Sequence, residues 1–293
     1  MRRVFTITLI LFLCVGLALT VSNHARFAVV NLPTLWFAGQ ITSDQVFDSS
    51  TGLSLDIYSP PAPGPHPVVI FWHGGSWQWG TKDDYKFVGM RLAEAGITVV
   101  LPDYRKYPDV RHPAFVEDAA AALAWTHANI AGHGGDPGTL VLSGHSAGAH
   151  IAALVANDPS YLAGHGLDRS IVAGVAGLAG PYDFVPSAKT IKAIFGPEDR
   201  YPSMQAGTFV DDGSPSILMM YGRDDDVVGM INIDRMQVEL DRVDACYGIQ
   251  LYDGVDHISI ISSFTWVFRD SNPAPQDLIA FVGDIHSGRF CED

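Results

Sequence analysis

Val141-Leu-Ser-Gly-His-Ser-Ala-Gly-Ala-His150 is the stretch on which the fold of this chain turns. Thr139 to Ser143 is a short apolar run of the kind that forms a buried strand. Gly144-His145-Ser146-Ala147-Gly148 follows at once, and Ala149 to Ala156 reads as a helix packed on both sides by small residues. A Gly-x-Ser-x-Gly between a strand and a helix is the sequence sign of a nucleophile elbow. The two glycines keep side chains out of the neighbouring strand and helix. The serine oxygen is then exposed at the top of a sheet, beside a helix N-terminus that favours developing negative charge. With 29 glycines in 293 residues the pentapeptide alone is weak, and its context has to carry it.

That context alternates strand and helix in both directions. Upstream, Pro67 to Trp72 predicts a core strand, Lys82 to Gly96 a helix, Ile97 to Leu101 a strand and Ala114 to Ile130 an alanine-rich helix. Gly132 to Gly138 reads as the turn into the elbow strand. Downstream, strands are predicted at Ile171 to Ala179, Ser216 to Tyr221 and Gly248 to Tyr252, with helices at Val228 to Val243 and Gln276 to Ile285. Residues 184–214 look irregular apart from a short helix around Lys189 to Phe195. Gln45 to Phe47 and Leu53 to Tyr58 flank a turn and predict an antiparallel hairpin at one edge. The expected fold is α/β: a mostly parallel sheet with helices on both faces.

Apolar residues make up 47% and charged residues 17% of the chain, a composition able to bury a substantial core. A net charge of −14 argues against a nucleic-acid partner, which needs a basic face. Residues 1–22 stand apart: Arg2 and Arg3 precede an uncharged run of 18 residues, Val4 to Val21. This reads as a signal peptide or a signal anchor. The remainder is expected to be exported, either held at a membrane through residues 4–21 or released to a periplasmic or extracellular space. Residues 23–44 are expected to form an apolar connecting or capping segment, and 45–293 the catalytic domain. Outside the apolar run stand Cys246 and Cys291, open to a disulfide or to two unpaired thiols.

A serine hydroxyl needs a base within hydrogen-bond reach, and the base needs an acid to fix its tautomer. In a parallel sheet, functional groups gather at the carboxyl ends of the strands. Asp225 and His257 follow the last two predicted strands, in the order Ser146, Asp225, His257. Asp224 and Asp226 compete for the acid role, and a metal is disfavoured because no His or Cys cluster stands nearby. His145 and His150 sit too close along the chain to fold back on Ser146 from the correct side. Acyl transfer also needs backbone N–H donors for the oxyanion, each worth roughly a hundred- to a thousandfold in rate. Ala147 supplies one, and Gly75 and Ser76, in His73-Gly-Gly-Ser-Trp77 after the Pro67–Trp72 strand, supply the rest. His73 is expected to brace that loop and Trp77 to wall a substrate pocket. Residues 22–44 and 184–214 are expected to cap the site.

Taken together, His73-Gly-Gly-Ser-Trp77, Asp103-Tyr104-Arg105, Gly135-Asp136-Pro137, Gly144 to His150, Gly222-x-x-Asp225-x-x-Val228 and Gly254-x-x-His257 resemble the esterase/lipase branch of the α/β-hydrolases. That branch carries His-Gly-Gly-x-Trp and includes carboxylesterases, kynurenine formamidases and prenylcysteine methylesterase-like proteins. In its pattern the acid stands three residues after the glycine, which favours Asp225. Ser76 departs from the third glycine of the hormone-sensitive-lipase branch. The resemblance implies a cofactor-free serine hydrolase acting on a small-molecule carboxylic ester through an acyl-enzyme. A formamidase with the same triad, or a non-catalytic binding protein on the same fold, are the alternatives.

Overall fold

The elbow run forms the end of the longest strand, β5 (Gly135–His145), in a computed structural model that describes residues 29–269 and 271–291. The signal or anchor read at residues 1–22 lies outside the described residues. The other strands are β1 (Gln40–Asp48), β2 (Leu53–Ser59), β3 (His66–Trp72), β4 (Thr98–Pro102), β6 (Val172–Leu178), β7 (Ser216–Gly222) and β8 (Tyr247–Tyr252). They form one sheet in the order β1-β2-β4-β3-β5-β6-β7-β8. From β4 to β8 every pairing is parallel, while β2 runs antiparallel to both β4 and β1.

Alternate residues of the central strands feed two cores. Val68, Ile70, Trp72, Leu140, Leu142, Ile217 and Met219 face one side, and Val69, Phe71, Val141, Leu218 and Met220 the other. On the first side lie α2 (Ala114–Asn129), α3 (Ala147–Asn157), α4 (Pro159–Ala163), α5 (Lys189–Phe195) and α6 (Ile231–Arg242). On the second lie α1 (Lys86–Ala93), α7 (Ser259–Ser262) and α8 (Ala274–Ser287). Both faces are covered, so these strands read as continuous apolar runs. Every residue of α3 is buried, which is why Gly and Ala dominate it: larger side chains would hold it off the sheet.

Three expectations change. β1 begins at Gln40, so the boundary placed between 44 and 45 cuts a strand; a register shift between Thr42 and Gln45, with Asp44 at φ 55°, hides its continuity. β5 begins at Gly135, inside the expected turn, because Gly135 already pairs with His66. The helix predicted from Val228 starts at Ile231, since the Val227 and Val228 N–H groups donate to the Asp225 carboxylate instead. Cys246 and Cys291 are joined by a disulfide that ties the approach to β8 to the chain beyond α8.

Candidate active site

Ser146 sits between β5 and α3 at φ 54°, ψ −120°, a conformation that is costly for a residue with a side chain. Its N–H donates to Leu178 O on β6 at 2.9 Å, which holds the turn in place. The flanking glycines are required by contact. A Cβ on Gly144 would lie 2.6 Å from Gly148 O, and one on Gly148 would lie 2.7 Å from His73 O. The sharp turn leaves the Ser146 side chain at the mouth of a cavity.

Ser146 Oγ–H donates to His257 Nε2 at 3.0 Å, and His257 Nδ1–H donates to Asp225 Oδ2 at 2.8 Å. Asp225 follows β7 and His257 follows β8, so the chain of hydrogen bonds crosses three strand ends. The other Asp225 oxygen accepts from Val228 and Val227 N–H at 2.8 and 2.9 Å. Burial pushes the Asp225 carboxyl up, but the His257 bond and these two N–H donors outweigh it and hold it below the usual carboxylate range. The Asp225 side chain is 1% exposed, whereas Asp224 and Asp226 point to solvent. Of the three adjacent carboxylates, Asp225 is the one that bonds to His257 among the described residues.

The loop after β3 has three successive residues at positive φ: Gly75 at 129°, Ser76 at 52° and Trp77 at 59°. Gln78 and Trp79 N–H both donate to Gly75 O, at 2.9 and 3.1 Å, closing the loop on itself. Gly74 N–H donates to Tyr85 Oη at 3.2 Å. Gly75 and Ser76 N–H have no protein acceptor among the described residues. Ala147 opens α3, so its N–H belongs to the group a helix leaves without an internal partner. His73 does brace the loop: Nδ1–H donates to Gly74 O at 2.7 Å, and the ring stacks on Tyr104 at 4.3 Å.

A cavity of about 480 Å³ opens beside Ser146, lined mainly by Ser76, Trp77, Phe184, Val185, Ile191, Val227 and Ile231. Trp77 is less available than expected. It is 4% exposed, stacked on Phe184 at 5.8 Å and edge-on to Phe195 at 4.8 Å, so only its margin meets the cavity. Much of the wall belongs to residues 184–191 and 227–235, while none of residues 192–214, part of the stretch expected to cap the site, lines it. None of residues 29–44 lines the cavity: Asn31 bonds instead to Asp83 O and Phe87 N at the start of α1, on the other face of the sheet.

Two residues without an expected role stand at the site. His145 cannot serve as base to Ser146, yet its Nε2 lies 2.9 Å from the carbonyl of His257. Tyr85 Oη lies 3.1 Å from His145 Nδ1. Only the place of His145 inside the pentapeptide could have drawn attention to it; nothing in the sequence marks Tyr85.

The BD-FAE family profile matches residues 55–240, well over half of the chain. The chain belongs to the BD-FAE family. Among its relatives are the isoprenylcysteine alpha-carbonyl methylesterase of Arabidopsis thaliana, 35% identical over 153 residues, covering 50% of this chain and 36% of that protein. Esterase LipC of Mycobacterium tuberculosis is 38% identical over 137 residues, covering 45% and 34%. The chain therefore spans about a third of the length of these curated relatives. Among solved structures, a truncated carbohydrate esterase from gut microbiota superposes with a TM-score of 0.73 at 20% identity, covering 85% of this chain and 96% of that one. The Pyrobaculum calidifontis esterase gives 0.71 at 20% identity, covering 91% and 92%. The fold is that of the α/β-hydrolases.

Proposed function

We propose that the protein hydrolyses carboxylic esters through an acyl-enzyme on Ser146. The observation that carries this reading is the unbroken hydrogen-bond chain Ser146–His257–Asp225 at the mouth of a cavity whose rim has N–H groups without acceptors among the described residues. Ser146 Oγ attacks the ester carbonyl carbon while its proton passes to His257 Nε2. Asp225, ionised and fixed by two backbone donors, steadies the imidazolium. The Gly75, Ser76 and Ala147 N–H groups hold the carbonyl oxygen as it gains charge. Collapse expels the alcohol, which takes the proton from His257. A water deprotonated by His257 then releases the acid.

The apolar lining and size of the cavity suit an ester with an apolar acyl or alcohol portion of moderate size. Relatives named methylesterase and esterase support the ester over the amide. The protein is further proposed to work outside the cytoplasm, led there by residues 1–22. A fluorophosphonate probe tests the chemistry. It is expected to label the wild type and spare Ser146→Ala, whose ester hydrolysis should fall by ~10⁴-fold or more. A wild type that resists the probe overturns the proposal. Faster turnover of N-formylkynurenine than of nitrophenyl esters would replace ester by amide.

A further inference from the structure

Tyr85 and His145 join the two halves of the site through one directed line of hydrogen bonds. Gly74 N–H donates to Tyr85 Oη at 3.2 Å, Tyr85 Oη is 3.1 Å from His145 Nδ1, and His145 Nε2 is 2.9 Å from His257 O. The two ends fix the directions. A carbonyl only accepts, so His145 carries its proton on Nε2, and its bare Nδ1 accepts from the Tyr85 hydroxyl. A backbone N–H only donates, so Tyr85 Oη receives the Gly74 proton. Each group in the line has one orientation that satisfies both neighbours.

The line is also sterically tight. Tyr85 and His145 are buried, and the His145 ring lies against the His257 ring with centroids 4.8 Å apart. A Cβ on Gly74 would fall 2.9 Å from His145 Nδ1 and 3.1 Å from Tyr85 Oη, so the loop can approach this pair only as glycine. Burial holds the His145 imidazole down to about 3, which keeps it neutral and its Nδ1 free of a proton.

One end of the line is the residue immediately before Gly75, whose N–H has no protein acceptor among the described residues. The other end is the backbone of His257, whose ring faces Ser146. We propose that Tyr85 and His145 are positioning residues that fix the separation between the oxyanion-holding loop and His257. The inference rests on the proposed hydrolase reading. In that reaction the carbonyl oxygen must meet Gly75 and Ser76 while the serine proton meets His257 Nε2. An error of about 1 Å between the two can cost on the order of a hundredfold in rate.

The test uses the full chain and four proteins: wild type, Tyr85→Phe, His145→Gln and the double variant. Tyr85→Phe removes one oxygen and keeps the ring. His145→Gln keeps an amide donor for the His257 carbonyl. With a nitrophenyl ester, Tyr85→Phe is expected to lower kcat about 10- to 100-fold with KM within about twofold. The rate of fluorophosphonate labelling should fall by the same factor, with the thermal midpoint within a few degrees. Because either change cuts the same line, the double variant should be no slower than the slower single variant, instead of showing the product of the two losses. Should His145→Gln not fold, the kcat-against-KM split of Tyr85→Phe decides alone. An active wild type with Tyr85→Phe at full kcat, or losses that multiply, overturns this inference and leaves the hydrolase reading standing. A wild type inert to ester and probe overturns both.

Discussion

Two histidines of α3 and its approach show how one residue type serves opposite ends within a few ångströms of Ser146. All three of His145, His150 and His257 are buried, but only His257 turns its ring to the Ser146 hydroxyl. His150 Nε2–H donates to Met204 O at 2.7 Å, and its buried Nδ1 has no partner among the described residues. Burial pushes both imidazoles down, each to about 3. In the unfolded chain they titrate near the ordinary value of about 6.5. Between those limits the unfolded chain binds more protons than the fold, so stability rises with pH through that window. The stability that goes with neutral His145 and His150 is complete above about 6.5 and is lost as the pH falls towards 3. Urea unfolding between pH 7 and 4.5 should therefore show falling stability. His150→Gln should flatten the decline by up to one proton, about 1.4 kcal/mol per pH unit. Parallel curves for the two proteins would remove His150 from the account.

Among the elements, the joint between the edge hairpin and the site loops rests on Lys82. Its Nζ donates to Asp56 Oδ1 on β2 and Asp44 Oδ1 in the β1 bulge, both at 2.8 Å, and its N–H donates to Asp103 Oδ1 at 2.9 Å. Burial alone would push the Lys82 ammonium down, and the two carboxylates more than reverse it. Asp56 is as deeply buried as the core. Lys82→Met leaves that charge unpaired and should cost about 3–5 kcal/mol in urea unfolding. Adding Asp56→Asn, which keeps the acceptor and removes the charge, should recover most of the loss; no recovery would mean that Lys82 acts through packing alone. Neither Lys82 nor Tyr85 is legible in the sequence, where both read as an ordinary helix start. Their partners lie 26 and 60 positions away, a separation no local pattern encodes. The strands behind the site are legible because burial on both faces writes an apolar run into each, Val68 to Trp72 in β3, Leu140 to Leu142 in β5 and Ile217 to Tyr221 in β7. The meeting of Ser146, Asp225 and His257 is legible for a related reason: parallel strands deliver their following loops to one edge. The start of β1 is not, because a bulged edge strand with exposed residues keeps no clean alternation.

At the scale of the whole molecule, two features accord with the proposed export. The disulfide Cys246–Cys291 closes a loop of 45 residues, for which chain entropy predicts about 4 kcal/mol of stabilisation, and such bonds persist in oxidising compartments. The second feature is a set of exposed apolar side chains. Leu35 and Trp36 are 73% and 77% exposed, and Trp266, Val267 and Phe268 are about half exposed. Trp266 Nε1–H donates to Val29 O at 3.3 Å, which ties the second group to the stretch that precedes Leu35 and Trp36. No helix among the described residues is long and apolar enough to cross a membrane, and the proposed anchor is the uncharged run Val4 to Val21. Eight residues further on stands Val29, which an extended chain can hold no more than roughly 28 Å from the end of that run. Tryptophan, with an apolar ring and one N–H, favours the depth of lipid headgroups. An anchored protein would therefore rest this face on the bilayer. The full chain, expressed with its own N-terminus in a bacterium that exports proteins, is expected in the membrane fraction, with Cys246 and Cys291 closed to maleimide until reduced. In vesicles with brominated lipid tails its tryptophan fluorescence should be quenched, and less so in the Trp36→Ser, Trp266→Ser variant. Recovery in the cytoplasm with both thiols reactive would overturn export. Equal quenching of variant and wild type would detach this face from the membrane while leaving the anchor in place.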